Sequence, residues 1–235
     1  MIDAMVISCG EPQLERCLES VRNQTVPFAN IIHVDGVVPE ATATNMGIEQ
    51  VTQEWYLRID GDIILSPNAV EIALEQIKKH TEKLGMLVFY VYDTFFQRSV
   101  TAGAVLTNTE AVRAVGWSNR LHSDNYAKRR MERRGLICGA AVEEGRKVVV
   151  GTHFDKPSEF QVFHRMLINA VKWKHSPKVH SLMKGKLAYL RQRTNDPIYD
   201  LAWKAYEYGL ENPEYIGSQN RDSDRKRYED FLSRG

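Results

Sequence analysis

Asp60 and Asp62 flank a single glycine. On extended backbone, residues two apart point to the same side, so the two carboxylates share a face, and Gly61 leaves room for a ligand to approach the main chain. Such a pair suits a hard divalent cation, Mn2+ or Mg2+, which keeps open positions for phosphate oxygens. The plain alternative is a polar turn after a strand, where Asp and Gly are common. Further side chains able to bind ligands stand at or after predicted strand ends: Ser8, Glu11, Asp35 and His153. Asp124 opens a predicted helix, where an acid is also favoured by the helix dipole.

The elements that must position these residues follow from periodicity. Ala4–Ser8, Ile31–Asp35, Trp55–Asp60 and Met86–Tyr92 read as strands. Leu14, Cys17, Leu18 and Val21 form one helical face. Ser66-Pro67 opens a second helix, with Ser as cap and Pro in the first turn; Val70, Leu74 and Ile77 are its buried stripe and Gly85 its end. Ala104–Thr107 and Lys147–Val150 are predicted strands, and Glu110–Val115 and Ser123–Arg134 predicted helices. From Ser158 the pattern is helical, broken at Pro177, Pro197 and Pro213, and Asp222–Gly235 is expected to fray. Alternating strands and helices imply an α/β fold: a Rossmann-like, mainly parallel sheet with helices on both faces. The expected division is an α/β domain over 1–157 and a helical extension over 158–235 packed on it. In such a sheet, ligands sit at the carboxyl ends of the strands.

Composition bounds the partners. No segment approaches the ~20 apolar residues of a membrane span, and Met1-Ile2-Asp3-Ala4 lacks the start of a signal peptide. Three cysteines (Cys9, Cys17, Cys138) without a CxxC pair point to a reducing, cytoplasmic setting, free or peripheral at the membrane. The net charge of +1 is unevenly spread: residues 1–110 carry 7 Lys/Arg against 15 Asp/Glu (−8), 111–193 carry 18 against 6 (+12), and 194–235 carry 6 against 9 (−3). A basic middle of this kind implies an anionic partner, or else a solvated face.

Residues 4–80 resemble the nucleotide-binding half of the family 2 glycosyltransferases, which have the GT-A fold. The resemblance is carried by Leu14–Thr25, by Ile31-Ile32-His33-Val34-Asp35-Gly36, by Thr44-Asn45-Met46-Gly47-Ile48, and by Ile59-Asp60-Gly61-Asp62 with Leu65–Ala69, in the family's order and spacing. Gly103–Thr107, Val115-Gly116-Trp117 and Ser123–Gly135 resemble its acceptor-side segment. Two departures stand out: Ser8-Cys9-Gly10-Glu11 replaces the usual Pro-Thr-Tyr-Asn-like turn, and Thr44 stands where an Arg is usual. The resemblance implies a nucleotide-sugar half over 1–100 and an acceptor half over 101–157. It implies an inverting transferase acting on a nucleotide-diphosphate sugar, with UDP the commonest carrier and a hexosyl or N-acetylhexosaminyl group moved. Ser8, Glu11, Asp35, Asn45, Asp60 and Gly61 would face the donor; Asp60, Asp62 and His153 would hold the metal; Asp124 would be the general base.

The basic residues bear on the acceptor. From Arg165 to Arg193 there are eight Lys/Arg, among them Lys172, Lys174 and Lys178, and no acid; the helix before adds Arg129 and Arg130, and Trp173 and Tyr189 are interleaved. Two anionic acceptors fit: a glycan or lipid carrier at the membrane face, or hydroxylated bases of DNA. Rival classes fit less well. An Asp-x-Asp phosphatase carries its motif on the first strand with Thr or Val two places on, where Ile64 stands; there is no P-loop and no GxGxxG. A non-catalytic binding module is the reading of a different class.

Overall fold

The structure, a computed structural model, describes residues 1–80, 83–118, 123–174, 176–212 and 221–233; for residue 123 and for residues 172–174 and 221–224 it describes the backbone alone. The chain divides into two compact units, Met1–Asp155 and Lys156–Gly235.

In the first unit, strands β1 (Asp3–Ser8), β2 (Ile31–Asp35), β3 (Trp55–Asp60), β4 (Ile63–Leu65), β5 (Leu84–Asp93), β6 (Arg98–Asn108), β7 (Ile137–Ala140) and β10 (Val149–His153) form one sheet. Its order is β2-β1-β3-β6-β5-β10-β4, with β7 also on β5, and β8 (Val142–Glu143) and β9 (Arg146–Lys147) form a small hairpin beside it. Four of its pairings are parallel and three antiparallel. Helices α1 (Leu14–Arg22), α2 (Glu40–Gln50), α3 (Ala69–His80), α4 (Thr109–Arg113) and α5 (Ser123–Glu132) cover it. Period-two alternation sends β1 to both faces: Ala4 and Val6 join Cys17, Val21, Val70 and Ala73, whereas Met5 and Ile7 join Ile48, Val112, Ala127 and Met131. A sheet buried on both faces explains why its strands read as continuous apolar runs.

Three expectations need correction. Helix α3 begins at Ala69, and its cap comes from Gln24, whose Oε1 accepts from the Val70 N–H at 3.2 Å while its Nε2 donates to the Ser66 carbonyl at 3.0 Å. Gly85 lies inside β5; a Cβ there would stand 3.1 Å from Cys138 Sγ and from Leu136 Cβ, so the glycine admits β7 beside β5. The predicted Lys147–Val150 strand is two, with Val148 donating to the Ala141 carbonyl between them, and the second runs on to His153. Helix α2 was not expected. It buries only small residues and one isoleucine (Ala41, Ala43, Thr44, Gly47, Ile48), so it carries little apolar periodicity; a Cβ at Gly47 would meet Met5 Sδ at 2.6 Å.

The second unit holds α6 (Glu159–Lys174), α7 (Pro177–Thr194), α8 (Pro197–Glu211) and α9 (Arg221–Ser233). Asp196 caps α8 through Ile198 N–H at 3.0 Å, with Pro197 in the first turn. Gly209 lets α8 cross α6 closely, since a Cβ there would lie 2.8 Å from Ala170 Cβ. Fraying of the C-terminal stretch is not observed over the described part: Tyr228 and Phe231 stand 5.1 and 5.0 Å from the Phe163 ring, and aromatic burial anchors α9. Pro213 lies outside the described residues. No helix among the described residues is long and apolar enough to cross a membrane.

Candidate active site at the carboxyl edge of the sheet

Strands β1, β2, β3, β5 and β10 run in one direction, because β6 reverses it between β3 and β5 and β10 is parallel to β5. Their last residues, Ser8, Asp35, Asp60, Asp93 and His153, therefore lie along one edge.

Asp60-Gly61-Asp62 is the turn from β3 into β4. The Gly61 N–H donates to the Ile7 carbonyl at 2.8 Å, which ties the turn to β1. The room left by the glycine is taken by protein: a Cβ would lie 2.9 Å from Glu11 Oε2 and from Ser8 Cβ. Glu11 is held there by the Cys9 N–H, which donates to the same oxygen at 2.7 Å. Strand β4 then runs antiparallel to β10 and pairs Ile63 with His153, so Asp62 arrives beside the histidine. Gly151 permits that pairing; a Cβ would fall 2.4 Å from the Ile64 carbonyl oxygen.

His153 Nε2 stands 3.3 Å from Asp62 Oδ2, and its Nδ1 stands 2.8 Å from Asp93 Oδ2. Asp93 is fully buried, and its other oxygen accepts from the Phe96 N–H at 2.7 Å. An ionised carboxylate can only accept, so Asp93 orients the ring with Nδ1 toward itself and Nε2 toward Asp62, the arrangement that orients metal-binding histidines. The residue after His153, Phe154, has a left-handed φ of +61°. Thr94 holds that bend by donating its hydroxyl to the Phe154 carbonyl at 2.7 Å, and the Phe154 ring packs edge-on to Phe95. Among the described residues no three His, Cys, Asp or Glu side chains form a closed metal cage. Asp62 and His153 instead offer one carboxylate and one imidazole, a donor set that fits Mn2+ with phosphate and water completing the shell.

Asp60 is held on two sides. Its Oδ1 lies 3.4 Å from Arg58 Nη2, and Gly103 (φ +57°) packs against it so closely that a Cβ would meet Asp60 Oδ2 at 2.6 Å. Its carboxyl is pushed up to about 6 by burial, with Arg58 opposing and Glu40 and Asp62 reinforcing. The side chain nonetheless keeps 42% of its surface open to solvent, which moderates the burial part. Arg58 is no surface charge. It is buried under the ring of Trp117 (5.2 Å) and bound to Glu40 Oε1 at 2.5 Å. Burial would push its guanidinium down, but Asp60, Glu40 and Asp124 outweigh that and hold it charged. Asp124, in the first turn of α5, therefore lies within the field of the same arginine. Burial and then the charges of Asp62, Asp60 and Glu11 push the Cys17 thiol up to about 12, so it stays protonated beneath the site.

At the far end of the edge, Ser8 donates its hydroxyl to Asp35, and His33 Nε2 stands 2.8 Å from the same oxygen. With the serine proton given to Asp35, the imidazole N–H donates to the serine. Asn45 is engaged by the chain itself: its Nδ2 donates to the Trp117 carbonyl at 3.0 Å and its Oδ1 accepts from the Trp117 N–H at 3.1 Å. That clamp fixes the segment bearing the ring over Arg58. Arg129 is exposed on α5, and Arg130 lies over the Tyr126 ring at 5.8 Å. Lys178 is exposed on α7 in the second unit, so the basic residues do not make one continuous element. The side chains of Lys172, Trp173 and Lys174 fall outside those described.

Sequence reasoning missed Asp93, Glu40 and His33. Asp93 ends β5, and the strand-end rule finds it once that strand extends past Tyr92. His33 lies two residues before Asp35, on the same strand face.

No family model and no curated protein sequence matches the chain. Solved structures do. The chain is similar to the mannosyltransferase PcManGT from Pyrobaculum calidifontis, solved with GDP-Man and Mn2+, with a TM-score of 0.55 and 13% identity over 89% of this chain and 70% of that one. The fold is that of the GT-A glycosyltransferases. It is also similar to TarS of S. aureus, with a TM-score of 0.51 and 11% identity over 73% of this chain, and it spans only 39% of that protein.

Proposed function

We propose that the chain is an inverting, divalent-metal-dependent glycosyltransferase that moves a hexosyl or N-acetylhexosaminyl group from a nucleoside-diphosphate sugar, a UDP-sugar, to a hydroxyl of an anionic acceptor. The observation that carries this reading is the convergence of Asp62 and His153, with Asp93 behind the histidine, on the edge of a GT-A sheet. The Mn2+ and GDP-Man held by PcManGT support the same chemistry here.

In this reading Asp62 and His153 hold the cation. When bound, it neutralises the charge that builds on the departing diphosphate. Asp60 sits by the ribose and the metal; Asp35, preset by Ser8 and His33, binds the base or ribose; Glu11 and Gly61 line the floor; Asn45 positions Trp117. Asp124 takes the proton from the acceptor hydroxyl as its oxygen bonds to the anomeric carbon, and the bond from that carbon to the diphosphate oxygen breaks on the opposite side. One in-line displacement inverts the centre. Arg129 and Arg130 are suited to an anionic acceptor, either a lipid- or envelope-linked glycan or a hydroxylated base of duplex DNA, which would have to be flipped out to react.

The test is hydrolysis of a panel of UDP- and GDP-sugars by the purified chain. Turnover should require Mn2+ or Mg2+, stop in EDTA, and be lost in Asp62→Ala, with the fold of the variant checked by its melting temperature. Turnover undiminished by EDTA, or an active Asp62→Ala, would overturn the metal-dependent reading.

A further inference from the structure

Helix α7 carries a pattern that the transfer chemistry does not use. Its inner face is apolar: Met183, Leu187 and Leu190 are buried. Its outer face presents Lys178, Leu182, Lys186, Tyr189 and Arg193 at i, i+4, i+8, i+11 and i+15, with Val179 on the flank. Leu182 is 57% exposed, more than any other large apolar side chain among the described residues except Met1; Tyr189 is 48% and Val179 39% exposed. Leaving such groups in contact with solvent gains nothing for the fold, and a helix of 18 residues holds three of them on one side.

The charges of this face are all of one sign. No acid occurs between Pro177 and Thr194. Among the described residues Lys178, Lys186 and Arg193 make no ion pair, whereas Arg191, on another face, is paired with Asp200. Lys186 Nζ and Arg193 Cζ lie 5.0 and 5.5 Å from the Tyr189 ring, so the aromatic ring stands between two cations.

The geometry points to the outer face of α7 as a docking surface for an anionic lipid bilayer, with the helix lying in the plane of the interface. Val179 and Leu182 would enter the acyl boundary and Tyr189 the headgroup level. Lys178, Lys186 and Arg193 would lay their stems along the apolar surface and keep their charges at the lipid phosphates. The helix spans about 27 Å, enough for the five stripe positions to meet a flat surface together. A nucleic-acid backbone would use the same three cations, but it would leave Leu182 and Val179 without a partner, and a bilayer takes both kinds of group. This assignment does not rest on the transferase reading, since a protein with no turnover carries the same face.

The experiment is flotation of the full chain with vesicles of phosphatidylcholine alone, or with about 30% phosphatidylserine, at roughly 100 mM salt. Binding is expected with the anionic vesicles only. Lys178→Glu, Lys186→Glu and Arg193→Glu together should lower partitioning by ~100-fold or more. Leu182→Ser, which changes no charge and sits at an exposed position, should lower it about 10-fold, with helicity and melting temperature unchanged for both variants. A gel shift with duplex DNA runs beside it. Absence of vesicle binding, equal binding to neutral vesicles, or an unaffected Leu182→Ser would each overturn the proposal. DNA binding lost on charge reversal but untouched by Leu182→Ser, without vesicle binding, would assign the face to nucleic acid instead. Loss of nucleotide-sugar hydrolysis has no bearing on any of these outcomes.

Discussion

The strand-end edge of the first unit and the outer face of α7 are both built from charged side chains, and they hold them in opposite ways. At the edge three candidate groups have second residues behind them: Asp93 behind His153, Arg58 and Gly103 around Asp60, Ser8 and His33 around Asp35. On the outer face of α7 the cations Lys178, Lys186 and Arg193 are long and, among the described residues, make no ion pair. Preorganised groups act in a partly dry environment where one misplaced atom costs orders of magnitude. Solvated groups act by number, each with a modest share. Single substitutions should therefore be decisive at the edge and mild on α7.

The largest effect that separates the two is expected at Asp124. Asp124→Asn keeps the size of the side chain and removes the proposed base, so turnover should fall by ~10²–10⁴ while donor affinity, read by thermal shift with Mn2+ present, stays within about twofold. Vesicle flotation should not change. A variant that loses donor affinity and keeps turnover would move Asp124 from the proton to the donor. It would also leave Arg58, which feels the Asp124 charge, as the group that links the two.

The sequence made the edge legible where chemistry and element coincide. Asp60-Gly61-Asp62 after an apolar strand, Asp35 at the end of another and His153 after a third were readable because strand ends can be found from apolar runs. The partners behind them were not. Asp93 is buried and looks like any acid after a strand, and only the pairing of β5 with β10 brings it to His153. Arg58 stands in a strand, but its partner Glu40 and its lid Trp117 come from a helix and a loop outside that strand, and it also feels the charge of Asp124. Asn45 carries a motif-like position, yet both of its amide atoms serve the Trp117 backbone. On α7 the reverse holds. The basic run was plain, but the exposed stripe of Val179, Leu182 and Tyr189 needed the buried side of the helix to be known first.

Asp93 gives a smaller and sharper test of the edge. Asp93→Asn keeps the shape but removes the charge that draws the Nδ1 proton of His153. If the histidine is oriented by that carboxylate, metal affinity or activity should fall by about 10–100-fold, and the loss should be in the Mn2+ concentration giving half-maximal rate rather than in the rate at saturating metal. A purely structural role would lower the melting temperature without moving the Mn2+ requirement. Neither outcome touches α7.

The smallest effect concerns the pH response of Asp60, whose carboxyl stands at about 6 against an ordinary 3.8 because burial outweighs the pull of Arg58. A carboxyl raised in the folded chain binds its proton more tightly there than when unfolded. Its contribution to stability is fully present below the ordinary value and is lost as pH rises through about 6. In EDTA, then, the melting temperature of the parent relative to Asp60→Asn should decline between pH 5 and pH 7. The shift should be small, about 1–3 °C, because the side chain is partly solvated. Activity should run the opposite way. The ionised form is the one that can sit by a cation, so Mn2+-dependent turnover should climb through the same interval. The opposite slopes are what separates this group from a general acid-labile residue, which would lower stability and activity together as pH falls. Parallel curves for parent and Asp60→Asn in EDTA would mean that solvent keeps Asp60 near its ordinary value. From Lys178, Lys186 and Arg193 on the outer face of α7 no such response is expected, since lysine and arginine stay charged throughout this interval.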